Sequence, residues 1–335
     1  MDQPTHAWIA LRAIALLDAE KKSKNLVALL KPHAKKAAIG AWLPDKADMK
    51  PGASTDNHIL KMQPMTRDKA GRFAVKKKDL LKLLGPQRKV HAFLTDNESL
   101  DDVWWQASYK AEPRPGQHLA NRAMALSTTI VDQLLLGDTE VDSLTHKSVK
   151  FKGCLDPKSR TNEAQIALYF AMLSHFVADA CMPCHCDKRD LADYGNGLHK
   201  EIEKHLAKLV GPTFEADNLD ALKCSADALI DKAVDVDQVA GLAFEEKIPD
   251  IVSTDVWKEV IYLCRASFAV ASIIAPPDQY PYGVEKKQAP FKDVFPKGNG
   301  DLWTGFSAMT LHDAVLNVAM VWKHAWNHAI GKGKN

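Results

Sequence analysis

Residues 174–203 read SHFVADACMPCHCDKRDLADYGNGLHKEIE and place His175, Asp179, His185, His199 and Glu203 close together in the chain. His175 and Asp179 stand four apart inside an apolar-periodic run, 166–180, whose spacing predicts a helix, so both side chains project from one face a turn apart. His199 and Glu203 repeat the arrangement on a second predicted helix. Met182-Pro183 is expected to end the first helix, because proline lacks the amide hydrogen and crowds the preceding turn, leaving His185 on the connection. Three imidazoles and two carboxylates can then converge from three directions. Imidazole is a borderline ligand that hard, oxygen-seeking ions rarely choose, so zinc is favoured over calcium or magnesium, with manganese and iron as alternatives. One His-x-x-x-Asp or His-x-x-x-Glu pair alone is more often an ordinary surface or capping pair. Two such pairs bracketing a histidine point instead to a metal.

Further segments extend the pattern. Thr5-His6-Ala-Trp8-Ile9 with Arg12-Ala13-Ile14 opens the chain, Gly40-Ala-Trp-Leu-Pro-Asp45 follows, and Thr55-Asp56-Asn57-His58 comes next. Taken in order with His175-Phe-Val-Ala-Asp179, Met182-Pro183-Cys184-His185 and His199-Lys-Glu-Ile-Glu203, they resemble the zinc-dependent phospholipase C and fungal single-strand nuclease superfamily. The resemblance covers residues 5 to 60 and roughly 160 to 205.

It implies an all-α, multi-helix bundle with a trinuclear-type zinc site of two or three Zn2+ ions. Carried over, one ion would be held by Asp45, His58, His175 and Asp179, and a second by His185, His199 and Glu203. A third would use His6, with Asp179 bridging to the first. Family members also chelate that third ion through the amino group and carbonyl of an N-terminal tryptophan. This chain departs there, beginning Met1-Asp2-Gln3-Pro4-Thr5, so the third ion must be held differently, bind weakly or be absent. Glu203, where the nucleases usually carry aspartate, tilts the comparison toward the phospholipases. The implied activity is phosphodiester hydrolysis, releasing a phosphorylated headgroup from a phospholipid, with Asp45 as general base or water-orienting group and Asp48 as its rival. The alternative is a single-strand nuclease or 3′-nucleotidase acting on single-stranded nucleic acid. A third reading is a non-catalytic binding protein whose zinc only staples helices.

The remaining sequence fits one domain over 1–335. At 335 residues and 46% hydrophobic content the chain can bury a substantial core. Helices are expected at about 5–20, 23–37, 117–136, 160–181, 196–210, 218–234, 255–275 and 308–330. An insertion is expected at 61–116, with Trp104 and Trp105 as a lid or as buried anchors. The irregular stretch holding Tyr280 and Tyr282 is a candidate substrate-facing loop. No run approaches the roughly 18 apolar residues of a membrane span, so no transmembrane segment is expected, and peripheral membrane contact stays open as an alternative. No leader pattern opens the chain, so the expectation is a cytoplasmic protein, or a secreted or periplasmic one with its leader removed.

A formal charge of +2 excludes a strongly basic nucleic-acid binder and an acidic tail. Lysine clusters at 21–36 and 61–89 read as solvated helix faces, with steering of an anionic substrate as the functional alternative. Cys181, Cys184 and Cys186 surround His185 as a thiolate site, as small buried side chains or as a disulfide. His33, His91, His118, His146, His205, His312, His324 and His328 lack a partner motif and read as surface or satisfied core residues.

Overall fold

The computed structural model describes residues 1–48, 58–62, 118–137, 162–189, 197–240, 247–251, 255–281, 289–296 and 300–332. Among them the protein is helical, with no strand beyond one isolated bridge between Met62 and Asp187. The expected insertion and lid, including Trp104 and Trp105, lie outside these residues, as do Tyr282, Cys154, His91 and His146.

Helix α1 (Gln3–Asp18) starts with Pro4 in its first turn, where a missing amide hydrogen costs nothing. Ala7 through Leu11 are all fully buried, so every face of this helix is packed and it lies inside the fold. Its Trp8 Nε1 donates to Ala233 O at 2.9 Å, tying it to a later helix. The expected single helix at 23–37 is instead α2 (Lys24–Leu30) and α3 (Ala34–Gly40), separated by a 3-10 turn at Pro32, which cannot continue the α-helical bonding. A short helix, α4 (Leu43–Asp48), then carries Asp45.

Helix α5 (Leu119–Gly137) packs on α6 (Glu163–Ala180). The start of α6 is fixed by a capping box: Asn162 Oδ1 accepts from Gln165 N at 3.0 Å, and Gln165 Oε1 accepts from Asn162 N at 3.1 Å. Beyond Met182 a single helical turn, α7 (Pro183–Cys186), holds His185. Helix α8 (Leu198–Val210) is amphipathic, burying Leu198, Ile202, Leu206 and Val210 at every fourth position. It ends at Gly211, whose φ of 76° suits glycine.

The expected helix at 218–234 is two, α9 (Ala216–Ala221) and α10 (Ala226–Ala240), with Ser225 Oγ accepting from Ala228 N at 3.2 Å to restart the helix. Helix α11 (Val256–Ile274) and α13 (Gly300–Lys332) flank α5 and α6, with the single turn α12 (Phe291–Val294) between them in sequence. Trp322 Nε1 on α13 donates to Phe170 O on α6 at 2.7 Å. No described helix is long and apolar enough to cross a membrane.

Candidate metal centre

Five parts of the chain meet at one end of α6. The segment 58–62 lies alongside 185–188, joined by Leu60 N to His185 O at 3.2 Å, Met62 N to Cys186 O at 2.8 Å and Lys188 N to Met62 O at 2.8 Å. These backbone bonds bring His58 beside His185. Helix α1 supplies His6, α4 supplies Asp45, α6 supplies His175 and Asp179, and α8 supplies His199 and Glu203.

The eight side chains form three groups, the first two sharing His175: His6, His175 and Asp179; Asp45, His58 and His175; and His185, His199 and Glu203. Within each, the ligand atoms lie within 4.8 Å of one another. In the middle group His175 is decisive. Its Nδ1 lies 2.8 Å from Ala41 O, a carbonyl that can only accept, so Nδ1 carries the proton and Nε2 presents a lone pair. That lone pair faces His58 Nδ1 at 2.8 Å, Asp179 Oδ2 at 3.1 Å and Asp45 Oδ1 at 3.4 Å. With both imidazoles neutral, His58 Nδ1 is the one ring nitrogen of this pair that can bring a proton to these four atoms.

The third group repeats the problem. His185 Nε2, His199 Nε2 and Glu203 Oε1 are separated by 2.9, 3.2 and 2.9 Å, and two imidazole N–H groups cannot point at each other. His185 Nδ1 and both ring nitrogens of the buried His6 have no hydrogen-bond partner, although His6 Nε2 lies 3.4 Å and His185 Nδ1 3.3 Å from Asp179 Oδ1. Buried polar atoms left so are costly unless something else satisfies them. A divalent cation shared by imidazole and carboxylate fits this donor set.

Charge in the site is partly balanced by the α-amino nitrogen of Met1, 3.0 Å from Asp179 Oδ1 and 2.9 Å from Glu203 Oε1. Burial alone lowers the pKa of that ammonium, but the carboxylates of Asp179, Glu203 and Asp45 raise it to about 12. Burial likewise works against ionisation of Asp179 and Glu203. The Met1 ammonium overcomes it, with His185 and His175 around Asp179 and His199 beside Glu203, and holds both carboxyls well below the usual range. His6 is driven well below the ordinary imidazole value by burial and by His175 and Met1, which keeps it neutral as a metal ligand must be. Burial also lowers His199.

The groups open onto a cleft of about 630 Å³. Its walls include Asp45, His58, His185, His199 and Glu203, joined by Asp2 and Glu215 and by the apolar Pro4, Trp42, Ile59 and Ala207. No described lysine or arginine lines it. Asp45 is 26% exposed at this cleft, whereas Asp179 is 1% exposed beneath it.

Comparison of the chain with protein-family models, with curated proteins and with solved structures finds no match. The site therefore rests on its own geometry.

All eight candidate ligands meet, and the remaining histidines do not join them. Among the described residues none of His33, His118, His205, His312, His324 and His328 belongs to a metal-capable group. His205 Nδ1 donates to Glu201 O at 2.7 Å and its ring stacks on Phe291. His118 Nδ1 accepts from Asn121 N at 3.4 Å at the start of α5. Cys181, Cys184 and Cys186 are buried free thiols that form no metal-capable group. Burial raises the Cys181 pKa and pushes that of Cys184 to about 12, so neither is a ready thiolate. In the lysine cluster at 21–36, Lys31 pairs with Asp18 at 2.8 Å and Asp227 at 3.1 Å, and Lys35 reaches the carbonyls of Asp220 and Leu222. The Asp48 side chain lies outside the described residues.

Two supports of the site have no sequence signature. One is the Ala41 carbonyl. The other is Arg189, which grips Asp187 through Nε at 3.1 Å to both carboxylate oxygens and through a further short bond. The same guanidinium caps the end of α11 at Ala271 O and Ala275 O and reaches Tyr280 O at 3.0 Å. It thereby anchors the strand-like segment on which His185 and, through Met62, the His58 segment hang.

Proposed function

We propose that this chain is a zinc-dependent phosphodiester hydrolase of the phospholipase C kind, cleaving a phospholipid to release its phosphorylated headgroup. The observation that carries the reading is the convergence of lone pairs and carboxylates, with too few protons to join them, on an open cleft. Two groups that share His175, with Asp179 Oδ1 3.3 Å from His185 Nδ1 of the third, favour adjacent cations over one isolated ion. His58, His175, Asp45 and Asp179 would hold one zinc, and His185, His199 and Glu203 a second. His6 and Asp179 are the candidates for a third.

When bound, zinc neutralises phosphate charge and lowers the pKa of water toward about 7. The protein's own groups do the positioning. Ala41 fixes the His175 tautomer, an arrangement that orients a ligand and raises its basicity. Asp45, the most exposed carboxylate of the set, lines the cleft and would take the proton from an attacking water there. Trp42, Ile59 and Ala207 give the cleft apolar surface suited to the lipid side of the substrate.

The nuclease reading is less well supported by the cleft. A nucleic-acid strand asks for basic groups along its phosphates and aromatic platforms for its bases. Here the described walls carry Asp2, Asp45, Glu203 and Glu215, with Trp42 the sole tryptophan, tyrosine or phenylalanine among them. A purely structural zinc site is closed by four protein ligands, whereas these groups line open space. A paired assay with short-chain phosphatidylcholine and single-stranded DNA tests the proposal. Zinc-dependent turnover of the lipid is expected, and turnover of DNA alone rejects it.

A further inference from the structure

Helix α8 has four stripes, because its residues recur at nearly every fourth position. Leu198, Ile202, Leu206 and Val210 face the core, and His199, Glu203 and Ala207 line the cleft. The next stripe round is Lys200, Lys204 and Lys208, all exposed, adjoining the cleft-lining stripe on the surface of the helix. Lys200 directly follows the cleft-lining His199, and its charge acts on Asp2 of the cleft wall. Lys204 is 55% exposed and meets Glu201 at 3.6 Å.

At the start of α4 a second pair stands by the cleft. Lys46 is exposed with Nζ 4.5 Å above the centre of the Trp42 ring, and Trp42 itself lines the cleft. An acidic cleft is thus bordered by a lysine-bearing face of α8 and by Trp42, just before α4, with Lys46 of α4 over its ring. Tryptophan and lysine are the side chains that settle at a lipid headgroup layer, the ring for its amphipathic body and the ammonium for anionic lipid.

We propose that this rim is a docking surface for a membrane containing anionic phospholipid, with Lys200, Lys204 and Lys208 as its electrostatic contact and Trp42 and Lys46 as the opposing anchor. The inference rests on the lipid-hydrolase reading of the cleft, because it explains how a lipid is brought to the mouth. A nucleic-acid strand is the less favoured partner, since the lysines border an acidic trough instead of lining it. Each lysine near a charged bilayer contributes about fivefold in binding, so three together contribute about a hundredfold.

The test is co-sedimentation of the zinc-loaded full chain with two kinds of vesicle, phosphatidylcholine alone and phosphatidylcholine with about 30% phosphatidylserine, at about 0.1 M salt, where charge attraction survives only at close range. The wild-type protein is expected on the anionic vesicles and not on the neutral ones. The triple variant K200Q/K204Q/K208Q is expected to bind them about a hundredfold more weakly while hydrolysing monomeric short-chain phosphatidylcholine at the wild-type rate. Circular dichroism checks its fold, and raising salt on the wild-type protein must release it from vesicles without any mutation. Equal vesicle binding by wild type and variant overturns the proposal. So does a variant that loses single-stranded oligonucleotide binding while keeping vesicle binding. If wild type hydrolyses no lipid, the functional reading fails, and the vesicle result still decides whether the stripe binds membranes.

Discussion

The imidazole of His175 donates from Nδ1 to the carbonyl of Ala41 across 2.8 Å, and this single bond turns its other nitrogen toward Asp45, His58 and Asp179. Ala41 follows Gly40, where α3 runs against α6 so closely that an added Cβ would lie 2.9 Å from Ala171 Cβ and 2.6 Å from Leu168 Cδ1. Leucine can swing its methyl away, but the Ala171 methyl is fixed to the helix. Gly40→Ala is therefore expected to push the two helices apart, cost about 1–3 kcal/mol of stability by overpacking and weaken zinc binding several-fold. Thermal unfolding and chelator competition measure both, and unchanged zinc affinity in a destabilised variant would detach Ala41 from the site.

Asp45 and His185 separate chemistry from metal retention. Asp179 also reaches His58 and His175, at 3.2 and 3.1 Å, so Asp45→Asn should keep most of the zinc and lose turnover by orders of magnitude. His185→Ala, which removes a ligand from the group with His199 and Glu203, should lower zinc content by one ion as well as turnover. Metal analysis beside the lipid assay distinguishes the two, and wild-type turnover by the asparagine variant would remove Asp45 from the mechanism.

The clamp between Asp187 and Arg189 is buried, with both residues under 8% exposed. Asp187→Asn leaves a guanidinium without its countercharge, and breaking such a pair costs about 3–5 kcal/mol. Because the segment also carries His185 and the bonds to Leu60 and Met62, zinc affinity should fall with stability. Denaturant titration with and without zinc reads this, since a purely structural clamp would leave the zinc-dependent increment in stability untouched.

Metal-free protein should be acid-sensitive. His6 and His199 have pKa values below the ordinary histidine value near 6.5, so below that pH the unfolded chain takes up protons that the folded one refuses, and stability falls. Asp179 and Glu203 have depressed values, so their contribution is complete above the ordinary carboxyl range and is lost as pH drops further. Both act in one direction. Melting in a chelating buffer should show a midpoint that declines steadily from about pH 6.5 downward; a midpoint constant to pH 5 would contradict the buried, neutral state of His6.

Much of the site was legible because helices turn a four-residue spacing into a shared face. His175 with Asp179 and His199 with Glu203 needed only that rule, and the proline after Met182 marked the break that holds His185. His6, Asp45 and His58 carried no such local signal, and the order of short segments in the resemblance is what joined them to the rest. Tertiary supports left no trace: Ala41 acts through its carbonyl, which any residue has, and Arg189 matters only because α11 ends beside it. The fold showed the same limit. Pro32 could have warned of the break between α2 and α3, whereas the break before α10 follows from a serine cap in a run with neither glycine nor proline.

The central claim is that these side chains gather around adjacent divalent cations. Anomalous scattering at the zinc edge from crystals of the zinc-loaded protein tests it most directly. Two or three peaks are predicted, one among Asp45, His58, His175 and Asp179 and one among His185, His199 and Glu203. Crystals grown with zinc that show no peak inside either group would contradict the account.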